Sequence, residues 1–527
     1  MPSAAPPAEK ESRGKLRLLI GGFVLLNVLV FGRLAWFWYL SEPARQITVG
    51  PETTVLESPL KADGTVDFVA GLNERVSQGV TPENNAVALL ARAYDPRVIA
   101  DAVSSRYYDL LQIPVPPADR QCLVGESNFF TQRNPPGTPA NPDAQQAFSE
   151  QRGTASSRPW TRSEFPEIAA MLDQNAAPLA LVVEASRRER YYSPLLSSDP
   201  SNSMITILLS IEQEQREAAR QLTARAMLKL GEGDPAGAWE DLLATHRLGR
   251  LTGQCPFMIG ALVSIAIEAI ACEADKALIA SPALTAVQAR QCLQDLQNLP
   301  PLPSIANQLD FAERLSLLDV TLQLARDPSQ IASFSDSPVP SPGLSGAIDW
   351  NIALTLVNDE IDNAVAVMRE PDVAKRAARL QEMNDSLHAH RGKSPAGMGV
   401  RSFLGNRTSA SRDMGWSILT MFMPAAEQAI NAETRAHARE QLFLTGFALA
   451  VYQRDSGAYP ETLAALVPEL LPTAPIDPWS GKELIYRRTE TGFIAYSVWD
   501  DMRDNGGIDF STQQGAPGDL VLEISGP

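Results

Sequence analysis

The feature that most constrains this chain is an apolar stretch near its start, residues 16–40. No charged side chain occurs between Leu18 and Gly32, and the stretch ends in the aromatic sequence Trp36-Phe-Trp-Tyr39. As a helix, residues 18–40 would be about 35 Å long, whereas the hydrocarbon core of a bilayer is about 30 Å thick. Arg33 would extend its long side chain to the outer interface. The stretch therefore predicts a transmembrane helix over residues 16–40, preceded by a cytoplasmic tail at residues 1–15.

The flanking charges predict the orientation of this helix. Lys and Arg are frequent between positions 10 and 17, whereas Arg45 is the nearest cation that follows the helix. Because basic residues stay on the cytoplasmic side, we expect a single-pass protein of the inner (cytoplasmic) membrane, with its N-terminus inside. Residues 41–527 would be extracytoplasmic, and the lipid bilayer would bind residues 16–40. A cleaved signal peptide is the alternative, but its apolar core is shorter and a small-residue cleavage site follows it.

Composition places the rest of the chain among globular proteins, with 44% hydrophobic and 20% charged residues. The net charge is −17, and residues 1–40 carry five Lys/Arg and two Glu, so that the remainder carries −20. So acidic a body repels nucleic acid, and we expect no nucleic-acid partner. The four cysteines form no C-x-x-C pair. Cys255, Cys272 and Cys292 would be buried free thiols, or two of them would form a disulfide.

Hydrophobic periodicity predicts a large, irregular α-helical domain over residues 65–424, after a linker at residues 41–64. The domain would begin with two short helices. The first has Phe68 on its apolar face, and the second has Thr81 as its N-cap and Pro82 at its first position. Residues 113–166 are rich in Pro, Gly, Ser, Asn and Gln, which predicts a long surface loop that would serve as a partner-binding segment.

The middle of this domain contains the clearest helical pattern. Two helices, at residues 211–230 and from Pro235 onward, are joined by a turn in which Asp234 is the expected N-cap. The pair weakly resembles a tetratricopeptide-like hairpin, although no 34-residue repeat follows. Phe257–Ile267 is almost wholly apolar and predicts a buried central helix. Further helices are expected at 284–299, 304–326, 349–368, 371–389 and about 425–454, with loops at 333–346 and 392–412.

The ionisable residues of this domain form no recognisable catalytic motif. His246 shares an apolar face and is expected to be a core histidine, whereas His437 is expected to be exposed. His388 and His390 would stabilise a helix C-terminus or, on a frayed end, share a metal ion. Glu268 follows the apolar helix, where a carboxylate would either be desolvated, with a raised pKa, or pair with an arginine.

The C-terminal region, residues 425–527, predicts a small α+β module that consists of a long helix and an antiparallel sheet. The helix ends at Tyr452-Gln-Arg-Asp-Ser-Gly457, and a short helix follows at 458–466. Two strands, 483–488 and 493–498, are joined by a hairpin turn at Thr489-Glu-Thr-Gly492, and a last strand covers 520–524. The predicted fold class of the whole chain is therefore mainly α.

This region resembles the C-terminal half of the type II secretion major pseudopilin. The matching elements are the helix end Tyr452-x4-Gly-x-Tyr-Pro460, the turn Asp477-Pro-Trp-Ser-Gly, the strands with Tyr486 and with Tyr496-Ser497, and an acidic, glycine-rich loop. The resemblance covers only about residues 430–527, and residues 41–420 have no counterpart in that family. The family's prepilin cleavage site is absent around residues 21–26. The resemblance therefore does not imply assembly into a pilus.

The resemblance implies calcium as a cofactor, because the acidic loop binds calcium in that family. The corresponding residues of this chain are Asp500, Asp501, Asp504, Asn505 and Asp509. Calcium takes six to eight oxygen ligands and would relieve the repulsion among these carboxylates. The spacing is not that of an EF-hand, because Arg503 occupies a ligand position. A solvated acidic turn is the alternative.

These observations lead to two hypotheses about function. The first is a membrane-anchored, extracytoplasmic, non-catalytic interaction or scaffold protein of the cell envelope, secretion-related and with a protein partner. The second is an extracytoplasmic hydrolase whose site is built from dispersed carboxylates such as Glu268, Glu240 and Asp241. Two or more inward-facing carboxylates at the base of a deep pocket would favour the hydrolase.

Overall fold

The computed structural model describes residues 46–133, 142–197, 203–207, 209–327, 348–390, 407–510 and 517–525. The predicted transmembrane helix at 16–40 and the predicted loop at 333–346 lie outside the described residues. Within the described ranges, we find no helix that combines the length and the apolar character needed to cross a bilayer.

The described residues are mainly helical and end in a small three-stranded sheet, which confirms the predicted fold class at this level. The helices are α1 (Phe68–Val76), α2 (Ala86–Ala93), α3 (Asp101–Leu111), α4 (Glu126–Arg133), α5 (Pro142–Ser157), α6 (Pro166–Gln174), α7 (Ala176–Ala185), α8 (Ser210–Gly231), α9 (Pro235–Thr252), α10 (Met258–Ala280), α11 (Ala286–Gln297), α12 (Ile305–Gln308), α13 (Arg314–Arg326), α14 (Trp350–Met368), α15 (Val373–His390) and α16 (Arg407–Ser456). The strands are β1 (Ile485–Arg488), β2 (Phe493–Ser497) and β3 (Leu520–Ile524), paired antiparallel in that order.

The chain divides into two compact units. The larger unit comprises residues 58–316, 361–383 and the described parts of 422–527, and the smaller one comprises the described parts of 1–57, 317–360 and 384–421. The C-terminal sheet therefore belongs to the same unit as helices α1–α12.

Three helices form the centre of the larger unit. Helices α8 and α9 pack along each other, and α10 packs against both. Asp234 caps α9 by accepting a hydrogen bond from the Gly237 amide at 2.8 Å, and Pro235 is the first helical residue, which confirms the predicted helical pair. The apolar segment after Phe257 continues as α10 to Ala280 and is buried along most of its length, as predicted.

The sheet is attached to the end of the long helix α16. The Tyr459 ring packs edge-on against Phe493 of β2, with centroids 5.1 Å apart, and the Tyr486 hydroxyl donates a hydrogen bond to the Pro460 carbonyl at 2.7 Å. Strand β3 in turn reaches Gly446 on α16, where an added Cβ would lie 2.6 Å from Leu522 Cδ2. The predicted hairpin is confirmed with its two strands shortened by two residues and by one, and the last strand has the predicted bounds.

The segment 113–166 is not the long irregular loop that the sequence predicted. It contains all of α4 and α5, and α5 packs against α8. Arg152 on α5 lies 2.6 Å from a Glu126 carboxylate oxygen and 2.8 Å from one of Glu217. Only Phe148 and Ala155 are buried on α5, so its sequence carries little hydrophobic periodicity and the polar composition misled the prediction.

Two helix starts also differ from the prediction. The second short helix starts at Ala86 with Asn85 as its N-cap, and not with Thr81, because the Asn85 side chain accepts from the Val87 amide and donates to the Tyr192 carbonyl. The long helix α16 starts at Arg407 rather than near residue 425, so residues 407–412 are helical and not part of a loop. A tertiary contact fixes the first start. Before the second start the sequence has Asn406, a residue type favoured at helix N-caps, which the sequence analysis did not use.

The described part of the predicted linker is packed. In the smaller unit, the Asn358 side chain donates hydrogen bonds to the carbonyls of Glu52 and Thr53, at 3.0 and 3.1 Å. Thr54 is completely buried. Residues 48–54 therefore dock on α14, through amide contacts that a search for apolar periodicity does not detect.

Candidate functional site

A buried cluster of ionisable side chains lies between α9 and α10. His246 on α9 stands between two carboxylates of α10: its Nδ1 is 2.8 Å from Glu268 Oε2, and its Nε2 is 3.0 Å from Asp275 Oδ2. None of the three residues is more than 4% exposed. Glu268 and Asp275 are seven residues, or two helical turns, apart, so both point from the same face of α10 toward His246.

Arg250 extends the cluster toward α16. It lies one turn after His246, with its Nε 3.1 Å from Glu268 Oε1, and it donates from Nη2 to Glu440 Oε1 at 2.8 Å. The contact between Nε and Oε1 is close but not aligned for a hydrogen bond. Among the described residues, Arg250 Nη1, Glu268 Oε1 and Asp275 Oδ1 are likewise buried without a hydrogen-bond partner.

The electrostatics of the cluster favour a charged histidine. Burial by itself would lower the pKa of His246, but the carboxylates of Asp275 and Glu268 outweigh it and raise the pKa to about 10. Burial raises the pKa of Asp275, and the neighbouring His246 partly offsets that rise. His246 is therefore an imidazolium at neutral pH and donates a hydrogen bond to each carboxylate.

A small cavity adjoins this cluster. Its volume is about 20 Å³, and its polar wall includes His246, Arg250, Glu268 and Cys272. A space of this size holds about one water molecule. The donor atoms of His246, Glu268 and Cys272 lie within 4.8 Å of one another, a separation that a single metal ion can bridge. Beside Glu268 there is thus room for about one water molecule, but not for an organic substrate.

A second, larger concavity opens on the other side of Arg250. This groove, which we call the arginine groove, has a volume of about 470 Å³ and lies between the end of α7, helix α9 and the end of α11. Its lining residues are Ser186, Arg187, Arg188, Glu189, Arg247, Arg250, Leu251, Gln254, Asp295, Asn298, Leu299 and Pro300. Four arginines against two acidic residues give it a positive charge on a chain whose net charge is −17.

The four arginines differ in how they are neutralised. Arg187 is exposed and pairs with Glu240 at 2.7 Å, and Arg188 lies 3.7 Å from Glu184. Arg247 is half-buried on α9 and forms no ion pair or hydrogen bond with any of the described residues. Arg250 is shared with the buried cluster and keeps its Nη1 unpartnered. Arg247 and Arg250 are three residues apart on α9, but the unpartnered Nη1 of Arg250 is itself buried, so of the two it is Arg247 that is open to a ligand.

Hydrogen bonds made by two side chains, Gln254 and Asp295, hold the walls of the groove in place. Gln254 accepts a hydrogen bond from the Tyr191 amide at 2.9 Å and donates one to the Glu189 carbonyl at 3.0 Å. On the opposite wall, Asp295 accepts from the Trp239 indole at 2.9 Å and from Gln291 at 3.0 Å. The Asp295 carboxylate is thus already engaged, and of the four groove arginines Arg247 is the one without an ion pair to the described residues.

The structure does not bring the carboxylates named for a hydrolase together. Glu240 is exposed against Arg187, and Asp241 is buried in ion pairs with Arg225 and Lys229, at 2.6 and 2.8 Å. Of these three carboxylates, only Glu268 lines the cavity, where Glu440 is a second acidic residue. Its predicted pairing with an arginine is confirmed by Arg250.

The structure shows the contacts of His246, His390 and His437. His246 is buried, as predicted, with its ring 6.4 Å from that of Trp239. In the smaller unit, His390 stacks on Trp416 with centroids 4.1 Å apart, and its Nδ1 lies 2.8 Å from the Ser386 carbonyl. The side chain of His437 is 42% exposed and lies between Glu433 and Glu440, as its charged surroundings predicted.

The acidic loop is organised by hydrogen bonds and by a residue that the sequence analysis did not select. Asp504 accepts from the Tyr496 hydroxyl at 3.0 Å and from the Gly506 amide at 2.8 Å, and Asn505 donates to Asp501 at 3.1 Å. Asp519, which is completely buried, accepts from the Gly507 and Asn505 amides. Of the remaining predicted ligands, Asp500 is exposed. The backbone of Asp509 pairs with that of Asp519 in an isolated parallel β-bridge.

The sequence analysis missed Asp275, Arg250 and Arg247. Asp275 could have been found by its seven-residue spacing from Glu268, and Arg250 by its four-residue spacing from His246. No local signal leads to Glu440, which is 190 positions from Arg250 in the chain. The three buried cysteines, Cys255, Cys272 and Cys292, are free thiols in the structure.

The fold and these two sites define a class: a mainly α-helical protein with a small C-terminal antiparallel sheet, a buried Glu-His-Asp cluster and an arginine-lined groove. Comparison of the chain with protein-family models, with curated proteins and with solved structures finds no match.

Proposed function

We propose that the protein is a membrane-anchored, extracytoplasmic, non-catalytic interaction protein of the cell envelope, whose helical body binds an acidic segment of a partner protein in the arginine groove. The observation that carries this proposal is the groove itself, a concavity of about 470 Å³ with four arginines. Sites of this size take a few side chains or a small ligand. Arginine is the side chain best suited to bind carboxylates with two parallel hydrogen bonds.

The charge of the rest of the chain makes the groove selective. An acidic partner is repelled by a body with a net charge of −20 except where basic residues cluster. Binding would therefore be confined to the groove and would weaken as salt screens the charges.

The anchor at residues 16–40 and the secretion-related role rest on the sequence, through the apolar stretch and the pseudopilin resemblance. Extraction of membranes with carbonate tests the anchor, because a protein released by carbonate is not anchored.

Charge reversal in the groove tests the interaction. We expect the full-length protein in detergent to bind a fluorescent oligoglutamate peptide, and we expect Arg247→Glu to weaken the Kd about tenfold or more, which corresponds to about 1.4 kcal/mol. Arg162→Glu is the matched control, since Arg162 is an exposed arginine outside the groove. Fluorescence anisotropy at two salt concentrations measures both. Equal losses in the two variants would show that net charge, and not the groove, determines binding.

A hydrolase is the second candidate, because Glu268 and Asp275 do converge on His246. The cavity beside them holds about one water molecule, so a substrate would reach Glu268 only after α16 or its side chains moved. For this reason the hydrolase ranks below the interaction protein. Hydrolysis of a panel of chromogenic esters, peptides and glycosides that is lost in Glu268→Gln would reverse the order.

We also propose that the acidic loop binds calcium, on the strength of the resemblance and of the carboxylates between Asp500 and Asp509. Calcium at about 100 times its Kd would raise the free energy of unfolding by about 2.7 kcal/mol, because it binds only the folded loop. We expect millimolar calcium to raise the Tm of the full-length protein, and Asp500→Asn to reduce that rise. Glu490→Gln, in the exposed hairpin turn, is the control. Identical melting with calcium and with a chelator would count against the site.

A further inference from the structure

The buried cluster contains the donor set of a metal centre. His246 offers a ring nitrogen, Glu268 a carboxylate oxygen and Cys272 a sulfur, and these atoms all lie within 4.8 Å of one another. Glu268 and Cys272 are four residues apart on α10, so one helical face directs both toward His246 on α9. All three residues are buried.

We propose that His246, Glu268 and Cys272 form a binding site for a zinc ion, with Asp275 as the residue that orients the imidazole. Zinc in proteins is bound by exactly these three donor types, whereas calcium and magnesium select oxygen. Three protein ligands leave a fourth position for water. The cavity of about 20 Å³ bordered by all three residues has room for one such water.

Orphaned polar atoms provide independent support. Glu268 Oε1 and Asp275 Oδ1 are buried and accept no hydrogen bond from the described residues. An unsatisfied buried acceptor costs about 1–3 kcal/mol, and more when it is charged. An ion bound through Glu268 Oε2 would neutralise part of the charge of a carboxylate whose other oxygen accepts no hydrogen bond.

The partners of the ligands have the arrangement that metal sites use. A zinc-bound histidine commonly donates its other N–H to a carboxylate, and here Nε2 faces Asp275 Oδ2 at 3.0 Å. Arg250 lies 3.1 Å from Glu268 Oε1 and so holds that carboxylate from the far side. In a tetrahedral zinc site, two N/O ligands are about 3.3 Å apart. The 2.8 Å between Nδ1 and Glu268 Oε2 would therefore widen by a small side-chain rotation.

Metal analysis of the full-length protein tests this proposal. We expect about one equivalent of zinc per chain after purification without chelator. After removal of the zinc and addition of Co²⁺, we expect a thiolate-to-cobalt charge-transfer band in the near ultraviolet, which reports a Co–S bond. Cys272→Ser should abolish the band, and Asp275→Asn should weaken zinc affinity about 10–100-fold without abolishing it.

The controls distinguish loss of zinc binding from misfolding and from loss of peptide binding in the arginine groove. Cys292→Ser changes a buried thiol outside the donor set and should keep both the zinc and the cobalt band. Arg247→Glu should leave the zinc content unchanged, so failure of the groove and failure of this site are distinguishable. Circular dichroism confirms that each variant is folded. Substoichiometric zinc with no charge-transfer band in the unmodified protein, or equal loss in Cys272→Ser and Cys292→Ser, would overturn the proposal.

Discussion

Substitution of His246 by Leu is expected to lower the free energy of unfolding by about 3–5 kcal/mol, because it leaves Glu268 and Asp275 buried without their shared cation. Removal of one partner of a buried ion pair leaves an uncompensated charge in a medium that solvates it poorly. Urea unfolding followed by circular dichroism, with a chelator present, measures the loss in the metal-free protein.

A double substitution distinguishes loss of charge pairing from loss of packing. Among the described residues, Asp275 has His246 as its hydrogen-bond and ion-pair partner, whereas Glu268 also has Arg250. His246→Leu combined with Asp275→Leu therefore removes the stranded charge and should recover part of the stability, since apolar replacement of buried ions is often neutral or stabilising. If the double variant is as unstable as His246→Leu alone, packing and not charge is responsible.

The same cluster predicts how stability depends on pH. The folded-state pKa of His246 is raised to about 10 from its ordinary value of 6.5, so its contribution is fully present below pH 6.5 and is lost as the pH rises toward 10. The raised pKa of Asp275 acts in the same direction at lower pH, because a raised carboxyl pKa also lowers the free energy of unfolding as the pH rises. The two groups titrate as a coupled pair, so the pH profile reports both. The difference in unfolding free energy between the unmodified protein and His246→Leu should therefore narrow between pH 7 and pH 10.

Much of the fold could be predicted from local signals. The Asp234-Pro235 cap, the uninterrupted apolar run into α10 and the Thr489–Gly492 turn each act within a few residues, and each appears in the structure where the sequence placed it. What local signals could not supply is the partner of each polar side chain. In the sequence, Asp275 is one more charged residue on a helix. Only the packing of α9 against α10 shows that it faces His246.

The errors have the same physical origin. Helix α5 has few buried apolar residues, and ion pairs join it to its neighbours, with Arg152 between Glu126 on α4 and Glu217 on α8. The stretch at residues 48–54 docks through the Asn358 amide. Periodicity measures apolar burial, so it detects neither kind of contact. The groove arginines were missed for the same reason, since Arg187, Arg188, Arg247 and Arg250 come from separate segments or alternate with apolar residues on α9.

Replacement of Asp477 by Ala is expected to lower the free energy of unfolding by about 3–5 kcal/mol, because its carboxylate is a buried acceptor of four hydrogen bonds. Oδ1 accepts from the Trp479 amide and the Ser497 hydroxyl, and Oδ2 accepts from the Ser480 hydroxyl and the Val498 amide. The carboxylate thus joins the turn at 477–481 to the end of β2. Its removal leaves these four donors without their acceptor, at a site where Asp477 is only 2% exposed.

Two variants make this prediction specific. Ser480→Ala removes one of the four hydrogen bonds at a half-buried position and should cost only about 0.5–1.5 kcal/mol. Asp477→Asn keeps one acceptor but turns a donor toward Ser480 or Val498, so it should fall between the two. Hydrogen exchange should show faster exchange in β2 for Asp477→Ala, because β2 loses its attachment to the turn. Unchanged exchange in β2, or a cost no larger than that of Ser480→Ala, would show that Asp477 serves the turn alone.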